Sequence, residues 1–231
     1  MLSFILLRVI HAAFLTLEAS VNIARRLRLK LQNTIALPPS SPEHVGLVVG
    51  EELSPADNQL AQLASLVSWC AAAGVRCITI CDAHGELVRA TAELRAELRL
   101  VGLGDDACVL LEAGEPPLAS ARLAVRVVSL RTGRDDIAVA ARTLCERVRA
   151  GKLPAGSIDE GAVEGELKAN AGFPEPELVL QCGPEEHLGG LLPWHCRVTQ
   201  YAHLGPLGAV SEACARRALV EHAGVTQRHG R

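Results

Sequence analysis

The residues best suited to chemistry stand at the far end of the sequence, in Thr226-Gln227-Arg228-His229-Gly230-Arg231. A guanidinium fork and an unhindered glycine amide are what a protein offers to a phosphate or diphosphate, because such an anion takes charge-assisted, bidentate hydrogen bonds. Taken alone, these residues read better as a solubilising basic tail, since a terminus is usually frayed unless something ties it down. Three other places carry reactive side-chain types. Asp82-Ala83-His84-Gly85 sets a carboxylate two residues from an imidazole, which suits acid–base work. The pair equally caps the helix that follows, and the cap is the preferred reading. Arg131 and Arg134 flank Thr132-Gly133 and could grip a phosphate, although a solvated turn explains them better. His195, in Leu191-Leu192-Pro193-Trp194-His195, reads as structural rather than catalytic, with the tryptophan packed at a core edge or an interface.

The elements that must position these residues are bounded first by composition. The chain has 231 residues, of which 49% are hydrophobic, and a mean hydropathy of +0.22. That suits one sizeable domain, with or without an appendage, and excludes a disordered chain. Aromatics make up only 3%, so Leu, Val and Ala must fill the core. The net charge of −3 and the absence of RNP, zinc-finger and basic-helix signatures argue against a nucleic-acid partner. The 8 cysteines form no Cys-x-x-Cys pair and no Cys/His ligand box. They read as small buried hydrophobes of a reducing compartment, Cys77 and Cys81 on a strand and Cys70, Cys145 and Cys214 on helices.

Residues 1–32 are largely apolar, but Arg8, His11, Glu18, Asn22 and Arg25 recur at helical spacing as one polar stripe. A spanning helix wants about 18 or more uninterrupted apolar residues. Arg25, Arg26, Arg28 and Lys30 follow the apolar run, the reverse of a cleavable signal peptide. Two membrane readings fit: a short span with its basic end on the cytosolic side, or an amphipathic helix lying in the interface. A helix packed on the domain or on a partner is the plain alternative. A linker, residues 33–43, contains Pro38-Pro39-Ser40-Ser41-Pro42 and marks a boundary.

The folded domain is expected over residues 44–231. Val45 to Val49 and Cys77 to Cys81 are apolar runs typical of strands buried on both faces. Between them, Ser54-Pro55 signals a helix start, Leu60, Leu63, Val67 and Cys70 a core stripe, and Gly74 a stop. Strand, helix, strand with short loops predicts a right-handed parallel unit. A helix follows from Glu86 to about Leu100, then Ala107–Leu111 as a strand or packed loop, and a strand from Leu123 to Leu130. After the turn Arg131–Arg134 comes a helix with Ile137, Ala140, Ala141, Leu144, Cys145 and Val148 on one face. Ser157 to Gly172 reads as a short peripheral helix, Pro176 to Leu180 as a strand, and Ala209 to His222 as the last helix.

In order and spacing, these segments resemble the cis-prenyltransferase superfamily, and within it the accessory (Nogo-B receptor-like) subunits of dehydrodolichyl diphosphate synthase. The resemblance covers His44 to Arg231. It is carried by His44-Val45-Gly46-Leu47-Val48-Val49, by Leu66-Val67-Ser68-Trp69-Cys70 with Gly74, and by Arg131 to Cys145. It continues through Pro176 to Gln181 with Gly183-Pro184, Leu191 to His195, and Gln227-Arg228-His229-Gly230. Catalytic members carry an Asp-Gly-Asn-x-Arg box after the first strand, for the allylic diphosphate and magnesium; here the place reads Gly50-Glu51-Glu52-Leu53. They carry Arg-x-Ser/Thr-Gly-Glu-x-Arg after the late strand, for isopentenyl diphosphate; here it reads Gln181-Cys182-Gly183-Pro184-Glu185-Glu186-His187. Acidic groups aimed at a diphosphate repel it, strongly so in a poorly solvated site.

The resemblance therefore implies an α/β domain with a mostly parallel sheet flanked by helices, behind an N-terminal membrane-associating helix, with no prenyl transfer in its own pocket. It implies a partner, a catalytic cis-prenyltransferase subunit in a heterodimer or larger assembly, which binds Mg2+ and supplies the catalytic aspartate. Arg228, His229 and Gly230 are then expected to reach the partner's site and hold isopentenyl diphosphate, with farnesyl diphosphate as the co-substrate. The expected product is the polyprenyl diphosphate precursor of dolichol. The expected place is the endoplasmic reticulum membrane, with lipid contacted through residues 1–32 and the domain facing the cytosol. A receptor that keeps the fold without the chemistry is the alternative, and an independent enzyme using Asp82 and His84 a third.

Overall fold

Continuous apolar runs become the centre of a sheet because only strands covered on both faces can bury every side chain. The structure, a computed structural model, describes residues 40–53, 58–82, 84–112, 114–117, 121–184 and 187–225, except the side chains of Leu130 and Arg131. In chain order the elements are β1 (His44–Val49), α1 (Gln59–Ala72), β2 (Cys77–Asp82), α2 (Glu86–Arg89) and α3 (Thr91–Leu100). Then come β3 (Cys108–Leu111), β4 (Leu123–Ser129), α4 (Leu130–Arg149), α5 (Glu160–Glu164), β5 (Leu178–Cys182), β6 (Gln200–Gly205) and α6 (Glu212–Ala223). The strands pair in the order β3-β4-β2-β1-β5-β6, and all the pairings are parallel. The expected α/β class with a parallel sheet is the one observed.

β1, β2 and β5 are buried at every position and form the middle of the sheet. On one face, Leu63, Leu66, Val67 and Cys70 of α1, Leu94 and Leu98 of α3, and Ala215 and Leu219 of α6 close over Leu47, Ile78, Ile80 and Leu180. A second cluster joins Val48, Cys81, Val128 and Val179 to Ala169, Leu191 and Leu192. The chain winds from β1 toward β2, β4 and β3, then returns past β1 to β5 and β6. The reversal makes the carboxyl ends of β1 and β5 the topological switch point, where open parallel sheets bind ligands.

Several boundaries differ from the sequence expectation, each for a local reason. α1 begins after Asn58, whose left-handed φ of 55° breaks the backbone there, so the helix starts beyond Ser54-Pro55. Glu86 to Leu100 is two helices, broken at Ala90. Arg131–Arg134 is no turn: the Ser129 side chain accepts from the Thr132 amide in a capping box, and α4 starts straight after β4. Ala141 and Cys145 of that helix are exposed, since the inward stripe runs through Gly133, Ala140 and Leu144. Gly172 is far from any helix end, because the segment from Ser157 holds only the short α5 and then turns. β5 starts at Leu178, two residues past Pro176.

β6 had no counterpart in the sequence reading, although Tyr201 and His203 alternate with Ala202 and Leu204. That alternation is the period-two signature of an edge strand, Ala202 and Leu204 facing the core.

Candidate functional site

At the switch point the backbones of β1 and β5 meet directly. The Gly50 amide donates to the Cys182 carbonyl at 2.8 Å. A Cβ on Gly183, whose φ is +140°, would lie 3.3 Å from Gly50 Cα. Above this seam sits His187: a Cβ on Gly50 would come within 2.5 Å of its Nε2 atom. The imidazole is fixed from its other side, where Nδ1 accepts from the Gly189 amide at 3.0 Å. Gly189 itself, at φ +55°, brings its backbone so near the sheet that a Cβ would meet Val48 Cγ1 at 2.9 Å. The Cys81 thiol donates to the Gly189 carbonyl at 3.2 Å. A Cβ on Gly133 would lie 2.5 Å from the Gly190 carbonyl oxygen, so the first turn of α4 abuts the same loop. The Gly-rich Leu188-Gly189-Gly190 run thus lies against the carboxyl ends of β1 and β2, and Leu191 and Leu192 continue it into the core.

The polar groups of this end bond to the protein itself. Gln181, at the first position of the expected anion clamp, donates through Nε2 to the His187 carbonyl. Glu51 turns away and accepts from the Leu207 amide, at the start of a 3-10 turn over Leu207–Ala209. Glu86 accepts from the Leu53 amide at 2.8 Å and so ties the loop after β1 to α2. Burial pushes the Cys182 and Cys81 thiols up to about 12, so neither offers a thiolate near neutral pH. Glu185 and Glu186 lie outside the described residues.

The other reactive types resolve into structure. Asp82 is fully buried, with Oδ1 accepting from the His84 amide at 2.8 Å and Oδ2 from the Leu87 amide at 2.7 Å. Both oxygens serve the entry into α2, while His84 is exposed, so the two form no acid–base pair. Arg134 is exposed on the first turns of α4. His195 is buried, and Glu164 binds it and its neighbour together: Oε1 lies 3.0 Å from His195 Nε2, and Oε2 accepts from the Trp194 indole at 2.7 Å. A structural role for His195 fits this geometry.

Three polar groups escaped sequence reasoning. Arg126, inside β4, is fully buried, with its guanidinium 4.1 Å from the Phe173 ring centroid. It donates to the carbonyls of Glu115, Ala169 and Ala171 and so fastens the segment before β5 to the sheet. His44 donates through Nδ1 to the Pro174 carbonyl at 2.7 Å and accepts at Nε2 from the Thr79 hydroxyl at 2.9 Å. At the amino ends of the strands, Glu177, Gln200 and His222 meet. The only sequence signal for Arg126 was a charge inside a run of apolar strand residues.

Among the described residues no group of three His, Cys, Asp or Glu side chains could hold a metal ion. The carboxylates nearest the crevice do not fit magnesium either, since Glu51 and Asp82 already accept from backbone amides. Arg228, His229 and Gly230 lie outside the described residues, as do residues 1–39. No helix among the described residues is long and apolar enough to cross a membrane.

The chain has relatives among known proteins. No family model matches the chain. The human dehydrodolichyl diphosphate synthase complex subunit NUS1 is 32% identical over 200 residues, covering 82% of this chain and 67% of the human protein. The chain belongs to the NUS1 family. The mouse NUS1 subunit is 30% identical over 214 residues, covering 88% of this chain and 71% of the mouse protein. The fold is shared more widely. Lavandulyl diphosphate synthase from Lavandula x intermedia superposes with a TM-score of 0.66 at 18% identity, covering 83% of this chain and 99% of that one.

Proposed function

We propose that this protein is the non-catalytic but activity-requiring subunit of a heteromeric cis-prenyltransferase of the dehydrodolichyl diphosphate synthase type. The complex elongates farnesyl diphosphate with isopentenyl diphosphate to the polyprenyl diphosphate from which dolichol, and through it protein glycosylation, is supplied. The observation that carries this reading is at the switch point, where Gly50-Glu51-Glu52 and Gln181-Cys182-Gly183 stand in place of the family's diphosphate-binding groups and His187 lies over Gly50. Among the described residues at this end, Glu51 and Asp82 are taken up by backbone amides, yet the chain's family is named for a synthase complex. Its contribution is therefore made in a site belonging to the partner.

Arg228 and the Gly230 amide, with His229 between them, are the groups proposed to make it. Donors held where a diphosphate leaving group develops charge lower the barrier to its departure. Supporting this, α6 runs back along the sheet, so that His222 lies beside Gln200 at the start of β6. The carboxyl ends of the strands are a strand length away, about 17–20 Å for a six-residue strand such as β1. Gly230 is five residues beyond Val225, and a fully extended chain of that length spans about 17 Å. A tail stretched to its limit toward its own crevice has no freedom left to wrap a ligand, which favours action in trans.

The partner supplies the catalytic aspartate and holds Mg2+, which neutralises diphosphate charge. Residues 1–32 form the membrane-associating helix, residues 33–43 the linker and residues 44–231 the prenyltransferase-like domain, which faces the cytosol at the endoplasmic reticulum membrane. Tethering suits a product of many isoprene units, whose apolar surface partitions into lipid. The decisive experiment co-expresses a catalytic cis-prenyltransferase subunit with wild type, Arg228→Ala or a chain truncated after Thr226, and measures labelled polyprenol. Loss of synthesis in both variants is expected. Equal synthesis by all of them overturns the reading and favours a receptor that kept the fold alone.

A further inference from the structure

A groove opens at the amino ends of β2 and β4, away from the crevice. Ala71 and Val75, at the end of α1, and Val101 and Leu103, at the end of α3, give it an apolar floor. The backbone there is already paired: the Val75 amide donates to the Cys70 carbonyl at 3.2 Å, and the Leu103 amide to the Leu98 carbonyl at 2.9 Å. What the groove presents is therefore side chains. Its only titratable ones are Arg76 and Arg122, both exposed. The Ala124 amide donates to the Arg76 carbonyl at 2.8 Å, so the two arginines lead into neighbouring strands at the same end of the sheet. Among the described residues neither guanidinium has an ion-pair or hydrogen-bond partner. Asp105, just past the groove, is paired with Arg99 at 2.7 Å. Leu100, the last residue of α3, is 79% exposed directly before Val101.

Unpaired cations beside an apolar floor and a protruding leucine fit an anion that carries an apolar body. Free phosphate offers nothing to Leu100 or the floor. An anionic phospholipid surface offers both parts, headgroups to the arginines and the acyl boundary to the leucine. The place where the chain enters the domain points the same way. The Ser41 hydroxyl donates to the Ala73 carbonyl, and a Cβ on Gly74, which lines the groove, would lie 3.8 Å from Ser41. Gln32, which ends the stretch read from sequence as membrane-associating, precedes Ser41 by 9 residues, a reach of about 30 Å when extended. A bilayer that takes up that stretch is within range of this end of the domain.

We propose that Arg76, Arg122 and Leu100 form a docking patch for an anionic phospholipid surface. This rests on the membrane placement in the function proposed above, and the test tells the two failures apart. The full chain is mixed with vesicles of phosphatidylcholine, with or without phosphatidylserine, and binding is read by flotation. Leu100→Trp reports contact, since brominated acyl chains quench an indole that touches them. Its added emission is quenched in phosphatidylserine vesicles, far less in phosphatidylcholine alone, and the quenching fades at high salt. Arg76→Gln and Arg122→Gln each weaken binding to phosphatidylserine vesicles about fivefold, and together they abolish the quenching. Inorganic phosphate at constant ionic strength leaves it unchanged. Loss of quenching on adding phosphate would make the ligand a free anion and overturn the proposal. Flotation without quenching, or with quenching indifferent to lipid charge and to both arginine variants, overturns this inference alone. No flotation with either kind of vesicle overturns the membrane placement and this inference together.

Discussion

The two ends of the sheet are built by different means. At the carboxyl ends of the strands the chain closes on itself by packing: glycine backbones touch, His187 covers Gly50, and Leu191 and Leu192 run inward. At the amino ends it is held by polar side chains. Ser41 donates to the Ala73 carbonyl, His44 bridges Pro174 and Thr79, and Glu177 ties Glu43 while standing next to His222. A parallel sheet normally does its chemistry at the carboxyl ends. Here that end is held by close backbone packing and a few hydrogen bonds of its own, and a second set of side-chain hydrogen bonds lies at the opposite end. The contrast shows that one parallel sheet can be held at its two ends by different kinds of contact.

The sharpest way to break the comparison is to alter the tail and the carboxyl end in turn and measure turnover in the complex. Arg228→Ala is expected to lower polyprenol synthesis by about 10²- to 10³-fold, by analogy with the loss of one oxyanion donor. Glu51→Gln and His187→Asn, at the closed end, are expected to leave the rate within about twofold, since neither is aimed at a substrate. A rate collapse in the second pair would mean that the crevice opens after all.

Stability against pH tests the polar end. Burial pushes the His44 imidazole from 6.5 down to about 4, so the folded chain keeps it neutral where the unfolded chain protonates it. The unfolded state therefore binds more protons between those values. The group's contribution is complete above pH 6.5 and is lost as pH falls toward 4. That loss amounts to about 3 kcal/mol. Urea midpoints across this range should fall with acid in the wild type and flatten in His44→Asn. Parallel curves would assign the acid sensitivity elsewhere.

The packed end has a smaller handle in Gly133→Ala. The new methyl would meet the Gly190 carbonyl oxygen at 2.5 Å, and overpacking of this kind costs about 1–3 kcal/mol. Urea denaturation should show the loss, and an unchanged midpoint would mean that the loop yields. Smallest of all is His84→Ala: the side chain is exposed and only its backbone amide meets Asp82. Activity and stability should both stay within about 0.5 kcal/mol of wild type, and a larger drop in turnover would revive an acid–base role.

Much of the architecture was legible because it is written in short-range patterns. The apolar runs at Val45–Val49 and Cys77–Cys81 read as buried strands, and they are, while Leu123–Leu130 holds a strand that ends at Ser129, Leu130 opening α4. The missing aspartate after β1 and the missing arginines after β5 could be read residue by residue. What could not be read depends on contacts far apart in sequence. Nothing near Arg126 says that its charge would be met by carbonyls brought from Ala169 and Ala171. Nothing near Gly189 says that its glycine is there to lie against Val48 rather than to wrap a phosphate. The start of α4 was misjudged because Thr132-Gly133 looks like a turn until Ser129 is seen to cap it.

The glycine-lined plug over Gly50 has a stoichiometric consequence. If two chains of this fold sit side by side and one of them has no seat, the assembly binds one equivalent of a diphosphate inhibitor for every two folded domains. Compounds shaped for a prenyl crevice would then act on the partner alone, and resistance to them would arise in the partner's gene and spare this one.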